Sequence, residues 1–146
     1  TEDDISVDEH DALFTDPAEA ERFVNESMVD ALAVAIGTAH GPYKGEPQLD
    51  FARLESINRR VEVPIVLHGA SGVSAESIRR AIALGVCKIN IDTELRQAFA
   101  RSVQQVAQNK PGEYDPRKIL GPAKEEMKKI VREKMRLFGC SGKAGE

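Results

Sequence analysis

The sequence predicts an α/β fold built on a small parallel sheet. Three short apolar runs typical of strands, at residues 31–36, 64–67 and 86–91, alternate with longer segments in which apolar residues recur at helical spacing. Strands that alternate with helices in this way are usually parallel and joined by helical crossovers. Because three strands are too few to close a sheet, the chain is predicted to be either a small open α/β sandwich or part of a larger structure.

Local signals mark where each helix begins. Asp16, followed by Pro17 and by Glu19 three positions after the cap, predicts a helix over about 16–26. Asp50 and Ser74 are the predicted caps of the next two helices. Two further helices are expected over about 93–108 and 118–138. The apolar positions predicted to face the core in the first helix are Ala20, Phe23 and Val24. The fourth helix carries Leu95, Phe99, Val103 and Val106 at helical spacing.

The three strands are predicted to lie in a covered sheet. Residues 31–36 are apolar at every position, which is typical of a strand buried on both faces. Cys87 lies inside the third apolar run, and we expect it to be a small buried core residue. The only other cysteine, Cys140, is far away in sequence, so the pattern does not indicate a disulfide framework.

Composition narrows the class of protein. The chain has 146 residues, 41% hydrophobic and 30% charged, with a formal net charge of −4, a composition expected of one globular domain. The modest charge, with both signs interspersed, argues against a nucleic-acid partner. Apolar runs are too short to span a membrane, and the acidic residues at the start do not resemble a signal peptide. We therefore expect a cytoplasmic protein with no membrane partner.

Two of the three histidines follow neighbouring predicted strands. His40 comes after the first strand and His68 directly after the second. The carboxyl ends of parallel strands meet at one edge of a sheet, about 4.8 Å apart per strand, so both imidazoles could bind one zinc ion. Alternatively, each histidine makes ordinary hydrogen bonds at a strand end. Because catalytic zinc generally has three protein ligands, a further ligand is expected from elsewhere.

Two turns at the same edge are candidates for binding phosphate. The small residues Gly69–Gly72 would let a ligand approach the backbone next to the start of a helix. Residues 90–93 lie one strand further along, also at a helix start, where Asp92 or Thr93 could alternatively serve as a simple cap. Together the two turns match the phosphate site that (β/α)₈ barrels build after their last two strands.

Three sequence blocks carry a family resemblance. Residues 35–43 (Ala-Ile-Gly-Thr-Ala-His-Gly-Pro-Tyr), 66–72 (Val-Leu-His-Gly-Ala-Ser-Gly) and 88–95 (Lys-Ile-Asn-Ile-Asp-Thr-Glu-Leu) resemble the signature blocks of class II, zinc-dependent fructose-bisphosphate aldolases. The resemblance extends over essentially the whole chain, and it is closer to the shorter branch that also contains tagatose-bisphosphate aldolases.

The resemblance implies a role for each matching residue. His40 and His68 would be zinc ligands, and Glu2 would take part in proton transfer. Arg117 resembles an arginine that reaches the distal phosphate of a substrate in a neighbouring subunit. The dihydroxyacetone-phosphate part of the substrate would be held by Gly41, Gly69, Ala70, Ser71, Asn90, Ile91, Asp92 and Thr93.

The resemblance also implies the architecture. The chain would be the C-terminal half of a (β/α)₈ TIM barrel, with its three strands about the sixth to eighth. Residues 1–15 would be a mobile loop, 16–108 three βα units, 113–138 a helical extension and 139–146 a tail. The family's Asp-His pair, which supplies the catalytic aspartate and the third zinc ligand, has no counterpart here and is expected in an N-terminal half.

The implied reaction is the reversible cleavage of fructose 1,6-bisphosphate to dihydroxyacetone phosphate and glyceraldehyde 3-phosphate. Zinc would act as a Lewis acid on the ketose carbonyl, and a monovalent cation is a possible further cofactor. Asp92 and Gly72 favour fructose over tagatose bisphosphate, which is the second candidate substrate. Two competing hypotheses are a non-catalytic phosphate-binding half-barrel and an unrelated phosphate-binding fragment without a metal. A homodimer or homotetramer is expected.

Overall fold

The computed structural model describes residues 14–38 and 47–145, which form two compact units. The first unit ends at Ile91 and contains helices and strands in alternation. The second begins at Asp92 and contains two helices. The first unit's elements are α1 (Pro17–Ser27), β1 (Leu32–Ala33), α2 (Phe51–Asn58), β2 (Ile65–Leu67), α3 (Ala75–Ala83) and β3 (Val86–Ile89), and the second unit's are α4 (Thr93–Asn109) and α5 (Pro116–Leu137). The predicted α/β fold is confirmed.

The three strands form one parallel sheet in the order β1-β2-β3. Leu32 pairs with Ile65 and Ala33 with Val66, and the N–H of Val34 donates to the carbonyl of Val66 at 3.3 Å beyond the end of β1. All three residues of the central strand β2 are buried. Such a continuous apolar run is typical of a central parallel strand that is covered on both faces.

The burial pattern of the first strand differs from the prediction. Leu32, Val34 and Ile36 are buried, but Ala33 between them is exposed. Burial therefore alternates along residues 32–36, and the prediction of a strand buried on both faces is wrong for this run. The physical reason is that, among the described residues, other elements cover only one face of β1.

The third strand contains a β-bulge. Ile65 pairs with Val86 but Val66 pairs with Lys88, so Cys87 has no residue opposite it on β2. An extra residue of this kind is left out of the ladder. Cys87 is consequently exposed, and its Sγ contacts the carbonyl oxygen of Gly85 at 3.3 Å. The prediction that Cys87 is a buried core residue is wrong.

The predicted helix caps of the first unit are confirmed. The carboxylate of Asp16 accepts hydrogen bonds from the N–H groups of Ala18 and Glu19 at 2.9 and 3.0 Å. Asp50 accepts from the N–H of Arg53 at 2.9 Å, and Ser74 from that of Ser77 at 3.2 Å. These bonds satisfy donors that the first turn of a helix leaves without intrahelical partners.

The core of the first unit is made of aliphatic side chains from the sheet and its helices. Its largest fully buried side chains are Ile36, Leu54, Ile57, Ile65, Leu67 and Ile78. Ala20 of α1 is also buried, but Phe23, predicted to face the core, is 52% exposed. At this position the helical spacing of apolar residues did not identify the packed face, because the neighbouring described residues cover only about half of the Phe23 side chain.

The second unit is a pair of long helices whose buried residues are small. Ala98 and Ser102 of α4 and Ala123 of α5 are buried, and small side chains allow helix backbones to approach closely. Lys134 donates to Glu94 at 2.7 Å and so joins the two helices. Phe99, one of the apolar residues at helical spacing in α4, is 36% exposed. Among the helices of residues 14–38 and 47–145, none is long and apolar enough to cross a membrane.

Candidate functional site

His68 and Asn90 lie side by side at the carboxyl edge of the sheet. Leu67 pairs with Ile89, and the N–H of Asn90 donates to the carbonyl of Leu67 at 3.1 Å. His68 and Asn90 directly follow this pair, so their side chains project to the same face. The amide nitrogen Nδ2 of Asn90 lies 3.2 Å from both Nδ1 and Nε2 of the half-buried His68 ring.

The two equal distances define how the amide meets the ring. A nitrogen in the plane of an imidazole could not lie this close to both ring nitrogens without colliding with ring carbon. The Asn90 amide must therefore lie over the face of the His68 ring. Hydrogen bonds and metal bonds to an imidazole nitrogen lie near the ring plane, so Asn90 does not take up either in-plane direction. A half-buried imidazole at a strand end fits zinc, for which histidine is a usual ligand.

The bulge in β3 determines which side chain meets His68. If the register set by Ile65 and Val86 continued without interruption, Ile89 would lie opposite His68. The unpaired Cys87 advances β3 by one residue and places Asn90 there instead. Sequence analysis missed this relationship. Cys87 and Lys88 are neighbouring exposed residues that break the alternation of a regular strand, but the sequence alone does not reveal their exposure.

The Gly69–Gly72 turn connects His68 to α3. Gly69 and Gly72 have φ angles of 64° and 87°, in the left-handed region that glycine adopts without steric cost. Between them Ala70 and Ser71 are 1% and 8% exposed, and the N–H of Val73 donates to the carbonyl of Ala70 at 3.3 Å. The turn leads into the amino end of the nine-residue helix α3, where the helix dipole favours negative charge.

The segment after Asn90 crosses from one unit to the other. Ile91, half buried, is the last residue of the first unit, and Asp92 and Thr93 belong to the second, where Thr93 is the first residue of α4. The Asp92 carboxylate makes no side-chain cap bond to α4 and instead pairs with Arg96 at 2.8 Å. Asp92 therefore occupies the cap position of α4, as one alternative predicted, but it caps the helix without a side-chain bond.

Arg117 lies in the second unit, in the first turn of α5. Its side chain is 89% exposed, and two of its nitrogens, Nε and Nη2, contact the two carboxylate oxygens of Asp115 at 3.0 and 2.8 Å. This hydrogen-bonded pair raises the pKa of Arg117 and lowers that of Asp115. A phosphate that binds Arg117 must compete with Asp115 for the guanidinium group.

Three predicted site residues lie outside the described residues: Glu2, His40 and Gly41. Of the chain's histidines, His68 alone falls within the described ranges. Residues 14–38 and 47–145 contain no group of three or more His, Cys, Asp or Glu side chains arranged to hold a metal ion. The structure thus brings together His68, Asn90 and the Gly69–Gly72 turn, and the pairing of His68 with His40 stays a prediction.

Comparisons with known proteins agree on one family. The family described as class II fructose-bisphosphate aldolase matches residues 1–143. The YdjI aldolase from Escherichia coli K12 is 44% identical to this chain, with a TM-score of 0.81 over 90% of the chain. A protein designated a fructose-1,6-bisphosphate aldolase from Coccidioides immitis is 32% identical, with a TM-score of 0.77 over 90% of the chain.

A third solved structure extends the comparison to lower identity. The fructose-bisphosphate aldolase from Campylobacter jejuni is 25% identical to this chain, with a TM-score of 0.72 over 88% of the chain. The matches cover 48%, 45% and 46% of the three proteins, in the order given. The chain therefore spans about half the length of the solved structures that it matches.

Proposed function

Because this chain belongs to the class II fructose-bisphosphate aldolase family, we propose that it is the C-terminal half of a zinc-dependent aldolase, with its sheet forming about strands six to eight of a (β/α)₈ barrel. The parallel order β1-β2-β3 supports this proposal, because consecutive strands are neighbours in such a barrel. Helices α4 and α5 would then follow the last strand, with α5 as the C-terminal extension.

The observation that carries the proposal is the arrangement of His68, Asn90 and the Gly69–Gly72 turn at the carboxyl edge of the sheet. Barrel enzymes bind their substrates at this edge. His68 would hold the zinc ion together with His40, and a third ligand would come from another part of the protein. Bound zinc would supply a Lewis acid that polarises a substrate carbonyl.

The residues around His68 would orient the substrate. Gly69, Ala70 and Ser71 would hold a phosphate group beside the amino end of α3, since small residues and a helix N-terminus favour close approach by an anion. Gly41 and residues 90–93 would contact the rest of the dihydroxyacetone-phosphate part. Binding of the phosphate would hold the reacting carbons in place, so that binding energy would be used to orient the substrate. Glu2 would accept or return a proton, and Arg117 would bind the distal phosphate.

The proposed substrate is fructose 1,6-bisphosphate, supported by Asp92 and Gly72. The cytoplasm is the proposed location, and a homodimer or homotetramer the proposed assembly, in which Arg117 of one subunit reaches the substrate of the next. A monovalent cation is a proposed additional cofactor.

The test is a product assay on the complete natural protein. We expect it to release dihydroxyacetone phosphate and glyceraldehyde 3-phosphate from fructose 1,6-bisphosphate, with tagatose 1,6-bisphosphate as the comparison substrate. Borohydride should not inactivate the enzyme in the presence of substrate, because no Schiff base forms. Inactivation by borohydride together with insensitivity to a chelator would refute the proposal. Faster cleavage of tagatose 1,6-bisphosphate would overturn the proposed substrate but leave the proposed zinc-dependent cleavage reaction intact.

A further inference from the structure

Three described segments of the first unit meet beyond the end of β1. The N–H of Thr15 donates to the carbonyl of Ala35 at 2.9 Å, and the Thr15 hydroxyl accepts from the N–H of Ala35 at 2.8 Å. The N–H of Asp50 donates to the carbonyl of Ile36 at 2.8 Å. Residues 14–15 and 47–50 are therefore both attached to the same short stretch of chain, residues 35–36.

Arg53, in the first turn of α2, contacts two of these segments at once. Its Nε contacts Oδ2 of Asp50 at 3.0 Å, and its Nη1 donates to the backbone carbonyl of Thr15 at 3.1 Å. The guanidinium also lies over the ring of Phe14, 5.1 Å from the ring centre. A planar guanidinium can make two directed bonds and stack on an aromatic ring simultaneously, whereas a lysine ammonium cannot reproduce that set.

Gly37 provides independent evidence that the segments are tightly fitted. A Cβ atom added to Gly37 would lie 2.4 Å from the carbonyl oxygen of Gln48 and 3.5 Å from Cε1 of Phe14. The backbone of Gly37 is thus in close contact with the chain just before α2 and with the chain just before α1. The three segments converge at Gly37 as well as at Arg53.

These contacts adjoin two parts of the chain that contain proposed functional residues. Residues 1–13, which include Glu2, are followed directly by Phe14 and Thr15. Residues 39–46, which include His40, lie between residues 35–38 and 47–50. We propose that Arg53 is a positioning residue: it ties residues 14–15 to residues 47–50 and so fixes the chain on either side of His40 relative to β2 and His68. This inference rests on the proposed function, in which His40 and His68 share a zinc ion.

The experiment compares Arg53→Ala with Arg59→Ala in the complete protein. Arg59 is a matched control because it directly follows the same helix and pairs with Glu55 on the surface. Two readouts are needed: the hydrogen-exchange rates of the Thr15, Ala35 and Asp50 amides, and the dissociation constant of zinc from competition with a chelator. The first readout does not depend on zinc or on activity.

We expect Arg53→Ala to accelerate exchange at those three amides and to weaken zinc binding by about tenfold, the lower end of the effect seen for residues that orient metal ligands. Arg53→Lys should recover part of the zinc affinity, and Arg59→Ala should match the wild type in both readouts. Unchanged exchange in Arg53→Ala would overturn the structural part of the inference. Faster exchange with unchanged zinc affinity would overturn the positioning of His40. A wild-type protein that binds no zinc would instead overturn the proposed function, and with it the role assigned to His40.

Discussion

The side-chain amide of Asn90 lies over the imidazole ring of His68, 3.2 Å from each ring nitrogen. This contact restricts rotation of the ring. Because the amide lies over the face of the ring, it does not occupy the in-plane direction of either ring nitrogen, which is the direction of a metal bond. Asn90 was predicted to bind substrate. Its position over the ring predicts a second effect, which is to restrain the orientation of His68, the proposed zinc ligand.

Replacement of Asn90 by alanine is expected to weaken zinc binding by about tenfold in the absence of any substrate, because the ring of His68 loses a group that restrains it. Chelator competition measures the effect, with the exposed amide of Gln97 replaced by alanine as the control. If Asn90→Ala changed only the KM for substrate and left zinc affinity intact, Asn90 would contact substrate alone.

The bulge at Cys87 leads to an unusual prediction about deletions. Removing one residue from a strand normally turns the following side chains to the opposite face. Deletion of Cys87 removes the unpaired residue, so the pairing of Leu67 with Ile89 and the contact of His68 with Asn90 should persist. We expect this deletion to lower the free energy of unfolding by less than about 2 kcal/mol and to retain zinc binding.

Deletion of the buried, paired Val66 is the matched comparison and should be far more damaging, because it removes a core side chain and shifts His68. Denaturant unfolding of both variants decides the question. Equal losses of unfolding free energy from the two deletions would contradict the assigned register of β3 against β2.

Replacement of Gly37 by alanine should destabilise the protein by at least about 2 kcal/mol. The φ angle of 105° is unfavourable for alanine, and its Cβ would collide with the backbone oxygen of Gln48. Gly112→Ala is the control, since a Cβ there meets nothing within 4 Å, and should change the unfolding free energy by less than about 0.5 kcal/mol. Equal unfolding free energies for the two variants would contradict both the left-handed backbone conformation of Gly37 and its close contact with Gln48.

Asp50 should contribute to the pH dependence of stability. Hydrogen bonds from the backbone N–H and the side chain of Arg53 lower the pKa of Asp50 below its ordinary value of 3.8, against the opposing effect of desolvation. A pKa that is lower in the folded state stabilises the fold above pH 3.8, and this contribution is lost as the pH falls below that value. Asp50→Asn should therefore be less stable than the wild type at pH 7 by about 0.5 kcal/mol.

The difference between Asp50→Asn and the wild type should shrink as the pH drops below 3.8. Thermal unfolding at a series of pH values measures it, with the exposed Asp30→Asn as the control. A difference that stays constant from pH 7 to pH 3 would show that the charge of Asp50 does not contribute.

Features decided by neighbouring residues were predictable from the sequence. The caps at Asp16, Asp50 and Ser74 were predicted correctly because a cap bond joins residues two or three positions apart. The parallel sheet followed from the alternation of strands and helices. The placement of His68 at a strand end required only the end of an apolar run.

Features decided by residues distant in the sequence were not predictable from it. The bulge at Cys87 depends on how β3 pairs with β2, and so the contact between His68 and Asn90 could not be read from either segment alone. The exposure of Phe23 and Phe99 depends on which elements cover their helices, a tertiary property that helical spacing does not specify. The contacts of Arg53 with Phe14 and Thr15 join residues 38 or more positions apart in sequence.

Zinc content, measured together with aldolase activity on the complete protein, tests the proposed metal-dependent reaction most directly. We expect stoichiometric zinc in the wild type, loss of activity on chelation, recovery when zinc is restored, and a strongly reduced zinc content in His68→Ala that remains folded. Aldolase activity that persists in a metal-free protein, or a His68→Ala variant with wild-type zinc content, would contradict the proposal that His68 binds the catalytic metal.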